Sequence, residues 1–266
     1  MLSDIKPYTS KVFIVDETFM GDLKERSQTE YALFAHPGID TEILRLPLVP
    51  ERIESVIRVI DPSAIHSGNI VVKPTYSNEF VPIGQVSEDV VLRKYGLFVQ
   101  LCVLLGATKV KVDSVEVVKL ESGNDMKADL DASGNGLGVG VEASGHTEKS
   151  SLSKNFQESV TQLSVEADGG EPDLEAAEAL MSRYGLHKDT LFNGMLIMRQ
   201  TRSNKLRRHE LTLDSSRDMS RIFDHSLGVK LEVMSKLYKG KAEFEYTRKS
   251  IEDSKCATQL SVIVEF

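Results

Sequence analysis

The stretch SEDVVLRKYGLFVQLCVLLGATKVKVDSVEVVKLE, Ser87–Glu121, changes its hydrophobic period once, and that change decides the fold. Up to Leu105 the apolar positions recur at helical spacing: Val91, Lys94/Tyr95, Phe98, Leu101, Cys102 and Leu105. Leu97 and Leu104 widen this face, so the helix is expected to be covered on most sides. Ser87 is the expected N-cap, and Glu88 and Asp89 sit where the helix dipole favours negative charge. Gly106 stands where a left-handed C-terminal cap belongs. Beyond it the period changes towards two, and Val110, Val112, Val115 and Val117 lie in a long strand-like segment. A long buried helix running into a strand predicts an α+β protein.

Towards the N-terminus, strands and helices alternate. Lys11–Val15 reads as a short buried strand, Glu42–Leu46 as an alternating one and Asn69–Lys73 as a third strand. Pro50 opens a helix whose face is Ile53, Val56, Ile57 and Ile60, and Asp61-Pro62 ends it. Towards the C-terminus, alternation predicts further strands at Leu137–Ala143, Leu191–Met198, Leu206–Leu213, Leu227–Val233 and Ala242–Tyr246, and over Leu260–Phe266. Tyr238-Lys239-Gly240 reads as a hairpin turn. One helix interrupts the strands. It starts at Glu171-Pro172-Asp173, carries Leu174, Ala177, Leu180, Met181 and Tyr184 on its apolar face, and ends at Gly185-Leu186. Glu121–Asn135, Gly145–Asn155 and Ser250–Lys255 read as polar loops. The expectation is thus a mixed N-terminal α/β part, 1–107, followed by a mainly antiparallel sheet with long hairpins and one inserted helix, 108–266.

The 266 residues suffice for a sizeable core, and 27% charged residues with 41% hydrophobic ones describe an ordinary globular chain. A net charge of −8 argues against coating of DNA, whose phosphates would repel it. Cys102 and Cys256 are the only cysteines and form no CxxC pair, which is the usage of a reducing, cytoplasmic compartment. The N-terminal segment has no basic and then apolar signal pattern. The longest apolar run, Tyr95–Ala107, is 13 residues long and contains Gln100, short of the roughly 20 that a membrane-spanning helix needs.

Chemistry-bearing motifs are sparse. Asp129, Asp131, Ser133 and Asn135 open like a calcium loop, but the closing carboxylate position is Gly140, so no metal is expected. Gly134, Gly136, Gly138 and Gly140 keep a period of two, which fits a strand face and not a phosphate loop. Ser151 and Lys154 match S-x-x-K without its companion motifs. None of His36, His66, His146, His187, His209 and His225 forms a metal-binding or catalytic pattern, and Asp224-His225 are merely neighbours. No catalytic residue and no cofactor follow from these patterns. The one distinctive feature is Arg199–Arg208, RQTRSNKLRR, where Arg199, Arg202, Lys205, Arg207 and Arg208 occur without an acid. Such a cluster is suited to phosphates of a lipid, a nucleotide or another polyanion.

These features lead to a non-enzymatic interaction or assembly protein. It would associate with itself, as a homo-oligomer, or with a protein partner through sheet edges, among them a C-terminal edge strand. A soluble precursor of a membrane-inserting β-hairpin pore former is the alternative, on the alternation of Leu137–Ala143 and Leu227–Val233. An enzyme acting on a phosphate-bearing substrate is the third.

Overall fold

The computed structural model describes residues 5–120, 156, 160, 162–200 and 206–266. Two four-stranded sheets carry the fold, in the orders β2-β1-β3-β4 and β6-β5-β8-β7. In the first, β1 (Lys11–Asp16) lies parallel to β2 (Thr41–Leu46) and antiparallel to β3 (Ile70–Val72), which pairs with β4 (Val81–Pro82). Helices α1 (Glu17–Arg26) and α2 (Gln28–Ala35) make the β1–β2 crossover, and α3 (Pro50–Ile57) follows β2. Parallel neighbours require such a crossover, because a tight turn can only return the chain antiparallel. The second sheet is antiparallel throughout: β5 (Lys109–Lys119) pairs with β6 (Ser164–Glu166) and β8 (Cys256–Glu265), and β8 with β7 (Arg208–Asp214). The α+β class expected from the sequence is observed.

Helix α4 (Val86–Leu104) joins the sheets. Its first turns put Val86 and Val90 into the core of the first sheet, with Phe13, Phe19 and Ile70. Its later turns put Phe98, Leu101, Cys102 and Leu105 against Val110, Val262 and Val264 of the second. Leu101 and Cys102 are fully buried, as the spacing requires. The helix begins at Val86, after a short 3-10 turn, so Ser87 is not its cap but a buried residue of the first turn. Gly106 closes it as expected. With φ +85°, its amide donates to Val103 O and that of Ala107 to Cys102 O, satisfying two carbonyls at the helix end. In β5 the register slips between Val112 and Ser114, and this β-bulge explains why Val115 and Val117 fall out of phase with Val110 and Val112.

The C-terminal part holds fewer strands than alternation suggests. Leu191–Met198 lies in α6 (Thr190–Gln200), after α5 (Leu174–Tyr184), which is the helix expected there. Leu227–Val233 lies in α8 (His225–Leu237) and Ala242–Tyr246 in α9 (Ala242–Ser254), so Tyr238–Gly240 links helices and Ser250–Lys255 is largely helical. The buried positions show why. In α8 they are Leu227, Lys230, Val233 and Met234, and in α9 Phe244, Thr247, Ile251 and Ser254, both on a helical period. The alternation continued across one turn but not across two. These helices and α7 (Ser216–Ile222) return the chain to the core of the first sheet through Met219, Leu227, Met234, Tyr238 and Phe244. β8 is an inner strand, paired on both sides, and not an edge. Leu137–Ala143 and the loops 121–135 and 145–155 lie outside the described residues.

Candidate functional site

Where β1 and β2 begin, the first sheet meets α7 and α8 across a cleft of about 510 Å³, lined by Ser10, Lys11, Asp40, Lys73, Thr75, Arg221, Ile222 and Asp224. Its floor follows from β1 starting on a lysine. The amides of Ser10 and Lys11 donate to Asp40 O at 2.7 and 3.1 Å, fixing the residue before β2 beside the first of β1. Lys11 is 2% exposed, and its ammonium meets two carboxylates: Asp40 Oδ2 at 3.5 Å and, by a short hydrogen bond, Asp224 Oδ2. Asp224 also caps α8, accepting from Leu227 N at 2.9 Å through its other oxygen. One turn on, Lys230 is nearly buried as well and donates to Ser226 Oγ at 2.9 Å. Lys11 is thus held between the two aspartates of the cleft, with Lys230 packed near them.

The titration of these groups follows their surroundings. Burial alone would raise the Asp40 carboxyl. The Lys11 charge and the hydroxyls of Ser10 and Thr41 outweigh it and hold the group below its usual range. Lys230 is pushed down, first by burial and then by the neighbouring Lys11 cation, against the pull of Asp224 and Asp40.

The rim is not balanced in the same way. Lys73 follows β3, is pushed down by burial, and donates to Pro7 O at 2.7 Å. Arg221, at the end of α7, is exposed. Among the described residues neither cation has a carboxylate within ion-pair distance.

Behind the rim lies a second polar network. Lys94 projects from the middle of α4, and its Nζ reaches Asp214 O at 2.8 Å, Asp218 Oδ2 at 3.1 Å and Asp189 Oδ2 at 3.4 Å. Tyr76 closes it. This residue holds φ +72°, a left-handed conformation costly for an aromatic residue. The turn leaves Thr75 lining the cleft and packs the Tyr76 ring near Phe192, 6.5 Å between centroids. Burial, and then the Asp218 and Asp189 charges, push the Tyr76 hydroxyl well above its ordinary range. Loop 73–76 is therefore the partition between cleft and network. Counting both, five cations (Lys11, Lys73, Lys94, Arg221 and Lys230) face four carboxylates (Asp40, Asp189, Asp218 and Asp224).

The basic segment singled out by the sequence lies elsewhere. Arg199 is committed to the fold: it donates to Leu105 O at 3.0 Å and Leu206 O at 2.9 Å, and its guanidinium stacks 4.0 Å from the centroid of Phe266. In this place it caps the end of α4. Arg207 and Arg208 are exposed at the start of β7, and Arg202 and Lys205 lie outside the described residues. The calcium-like loop, the glycine alternation and the Ser151–Lys154 pair lie outside them too. Among the described residues no three His, Cys, Asp or Glu side chains are placed to hold a metal ion, and no helix is long and apolar enough to cross a membrane. Asp224 and His225 are the cap and first residue of α8, and Asp224 lines the cleft. The cleft residues escape a reading by motif because they come from four separate segments. One signal for the buried lysines was present: Lys94 occupies a position that the helical period assigns to the core. No protein-family model matches the chain, and no curated protein or solved structure is significantly similar to it.

Proposed function

We propose that the protein is a binding protein without catalytic chemistry of its own, and that its cleft takes a phosphate-bearing small molecule. One observation carries this reading: three cations line the cleft against two carboxylates, and two of them, Lys73 and Arg221, have no carboxylate within ion-pair distance among the described residues. In a chain of net charge −8, an incoming anion is repelled by most of the surface and drawn to such a spot. Burial also costs Lys73 part of its hydration, and a phosphate oxygen would restore it. Arg221 adds the planar fork that suits phosphate. The test is the melting temperature of the full chain with increasing inorganic phosphate, against chloride at equal ionic strength. The expected result is a rise specific to phosphate, by linkage, which vanishes in the Lys73→Gln/Arg221→Gln double variant. Equal melting in phosphate and chloride would overturn the reading.

Association through a sheet edge is the second reading. β7 pairs only with β8 among the described residues, leaving its far side open. Arg208, Glu210, Thr212 and Asp214 alternate outward along it, and charges of this kind restrain indiscriminate strand pairing. Arg207 and Arg208 give this edge a basic end for a polyanion. Sedimentation of the Arg202→Gln/Arg207→Gln/Arg208→Gln variant with anionic vesicles and with RNA, at low and moderate salt, tests that surface. A membrane-inserting hairpin has less behind it, because Leu227–Val233, one of its two supporting segments, is helical.

A further inference from the structure

We infer that the cleft is built for a phosphate monoester that carries several hydroxyl groups, a sugar or polyol phosphate, with its phosphate on Lys73 and Arg221 and its hydroxyls on Asp40 and Asp224. The inference rests on the anion reading above and refines it. Four features point the same way.

The first is the mixed sign of the lining. Asp40 and Asp224 keep 50% and 38% of their side-chain surface exposed, although both engage Lys11. A carboxylate has about four acceptor sites, so each retains free lone pairs. A bare phosphate filling the cleft would press its oxygens against these acceptors. A ligand whose remaining surface consists of hydroxyl donors satisfies them, and the cations as well. The Lys11 charge keeps Asp40 ionised and therefore an acceptor.

The second feature is Ser10 and Thr75: the Ser10 hydroxyl donates to Asp40 Oδ2 at 3.1 Å and can still accept, and that of Thr75 can donate or accept, which suits a polyol. The third is size: about 510 Å³ is far more than inorganic phosphate needs and lies within the range of small-molecule sites. The fourth is the character of the walls. Among the described residues no aromatic side chain lines the cleft, and Ile222 is its one large apolar residue. A nucleobase would find no stacking platform there.

The experiment is calorimetric titration of the full chain with inorganic phosphate and with a panel of glucose 6-phosphate, fructose 6-phosphate, ribose 5-phosphate and glycerol 3-phosphate. Glucose and adenosine monophosphate serve as controls, and ionic strength is matched. At least one member of the panel should bind about tenfold more tightly than inorganic phosphate, the gain expected of one or two hydrogen bonds to charged acceptors. Glucose alone should bind far more weakly than that member. Asp40→Asn should shift the two ligands in opposite directions, strengthening inorganic phosphate and weakening the polyol phosphate. Because Asp40 also holds Lys11, Thr75→Val provides a second variant, expected to lower the preference severalfold with phosphate binding retained. If phosphate binds and no panel member exceeds it, or if adenosine monophosphate exceeds them all, this inference is overturned while the anion reading stands. If neither phosphate nor any panel member binds, both fall.

Discussion

Replacing Lys94 by methionine would test the network behind the cleft. Methionine keeps most of the stem and its packing in α4, so the change is chiefly the loss of one positive charge. That charge lies 3.1 Å from Asp218 and 3.4 Å from Asp189, and Asp218 is itself 3% exposed. Without it, two carboxylates face each other with Asp214 O beside them and no cation between. Breaking a buried pair by removing one partner costs about 3–5 kcal/mol. Arg221, one helical turn from Asp218, offsets part of the repulsion, which places the expectation near the lower end, about 3 kcal/mol. At about 2–4 °C per kcal/mol for a chain of this size, the melting temperature should fall by roughly 6–12 °C. Urea unfolding followed by circular dichroism measures the loss directly, with an unchanged slope showing that the unfolded state is not what moved. Lys94→Met/Asp218→Leu should recover more than half of the loss, because it removes the orphaned charge as well. A single variant within about 1 kcal/mol of the parent, or a double variant no better than the single, would show that the three side chains are not coupled as their geometry requires.

Three further outcomes are expected. Leu101→Asp should abolish soluble expression, because Leu101 is fully buried between α4 and the second sheet and an unpaired charge there costs several kcal/mol; a soluble variant that melts like the parent would refute its place in the core. Gly106→Ala should cost about 2 kcal/mol or more in urea unfolding, since its φ of +85° strains any side chain and the new Cβ would stand 2.2 Å from Gly170 O, a backbone atom that cannot swing aside. Asp16 governs part of the acid limb: burial would raise its carboxyl, but bonds from Thr18, Ser67 and the Phe19 amide and the Lys241 charge outweigh it and lower it to about 2. Because the folded value is depressed, its stabilisation is complete above the unfolded value near 3.8 and is lost as pH falls through about 2. Asp16→Asn should therefore lower stability by about 2 kcal/mol at pH 7 and by much less at pH 2, and equal losses at both would refute the assignment.

The elements legible in the sequence share a chemical trait. Val12–Val15, Ile70–Val72, Val110–Val117 and Val262–Val264 are rich in β-branched residues, and all lie in strands. Leu227–Val233 and Ala242–Tyr246 alternate equally well but contain Lys230, Glu232, Glu243 and Glu245 and run on into Met234 and Thr247, and both are helices. Alternation over five to seven residues fits one helical turn and a strand alike, so propensity and capping had to arbitrate. Asp224, whose side chain accepts from Leu227 N, marks the start of α8, and Asp189, whose side chain accepts from Leu191 N, marks that of α6.

The site was less legible than the fold for a different reason. A run of like charges such as Arg199–Arg208 stands out in sequence because its members are adjacent, yet Arg199 is held by two backbone carbonyls and a ring. The cleft is the converse case: Lys11 and Asp40 are 29 residues apart, and Asp224 lies 213 residues beyond Lys11, so only β1, β2 and the start of α8 bring them together. What such residues do leave in the sequence is a mismatch between character and position. Lys11 opens a strand of buried residues, Lys94 falls on the apolar face of α4, and Lys230 lies among the buried residues of α8. A lysine in these places needs carboxylates or carbonyls brought to it, since a lone buried ammonium is too costly to keep charged. All three have such partners or a hydroxyl within reach, and one of them, Lys11, lines the cleft with Lys73 and Arg221. A lysine where the period calls for a leucine is accordingly the sequence feature that points to the polar interior of this protein, and through it to the cleft.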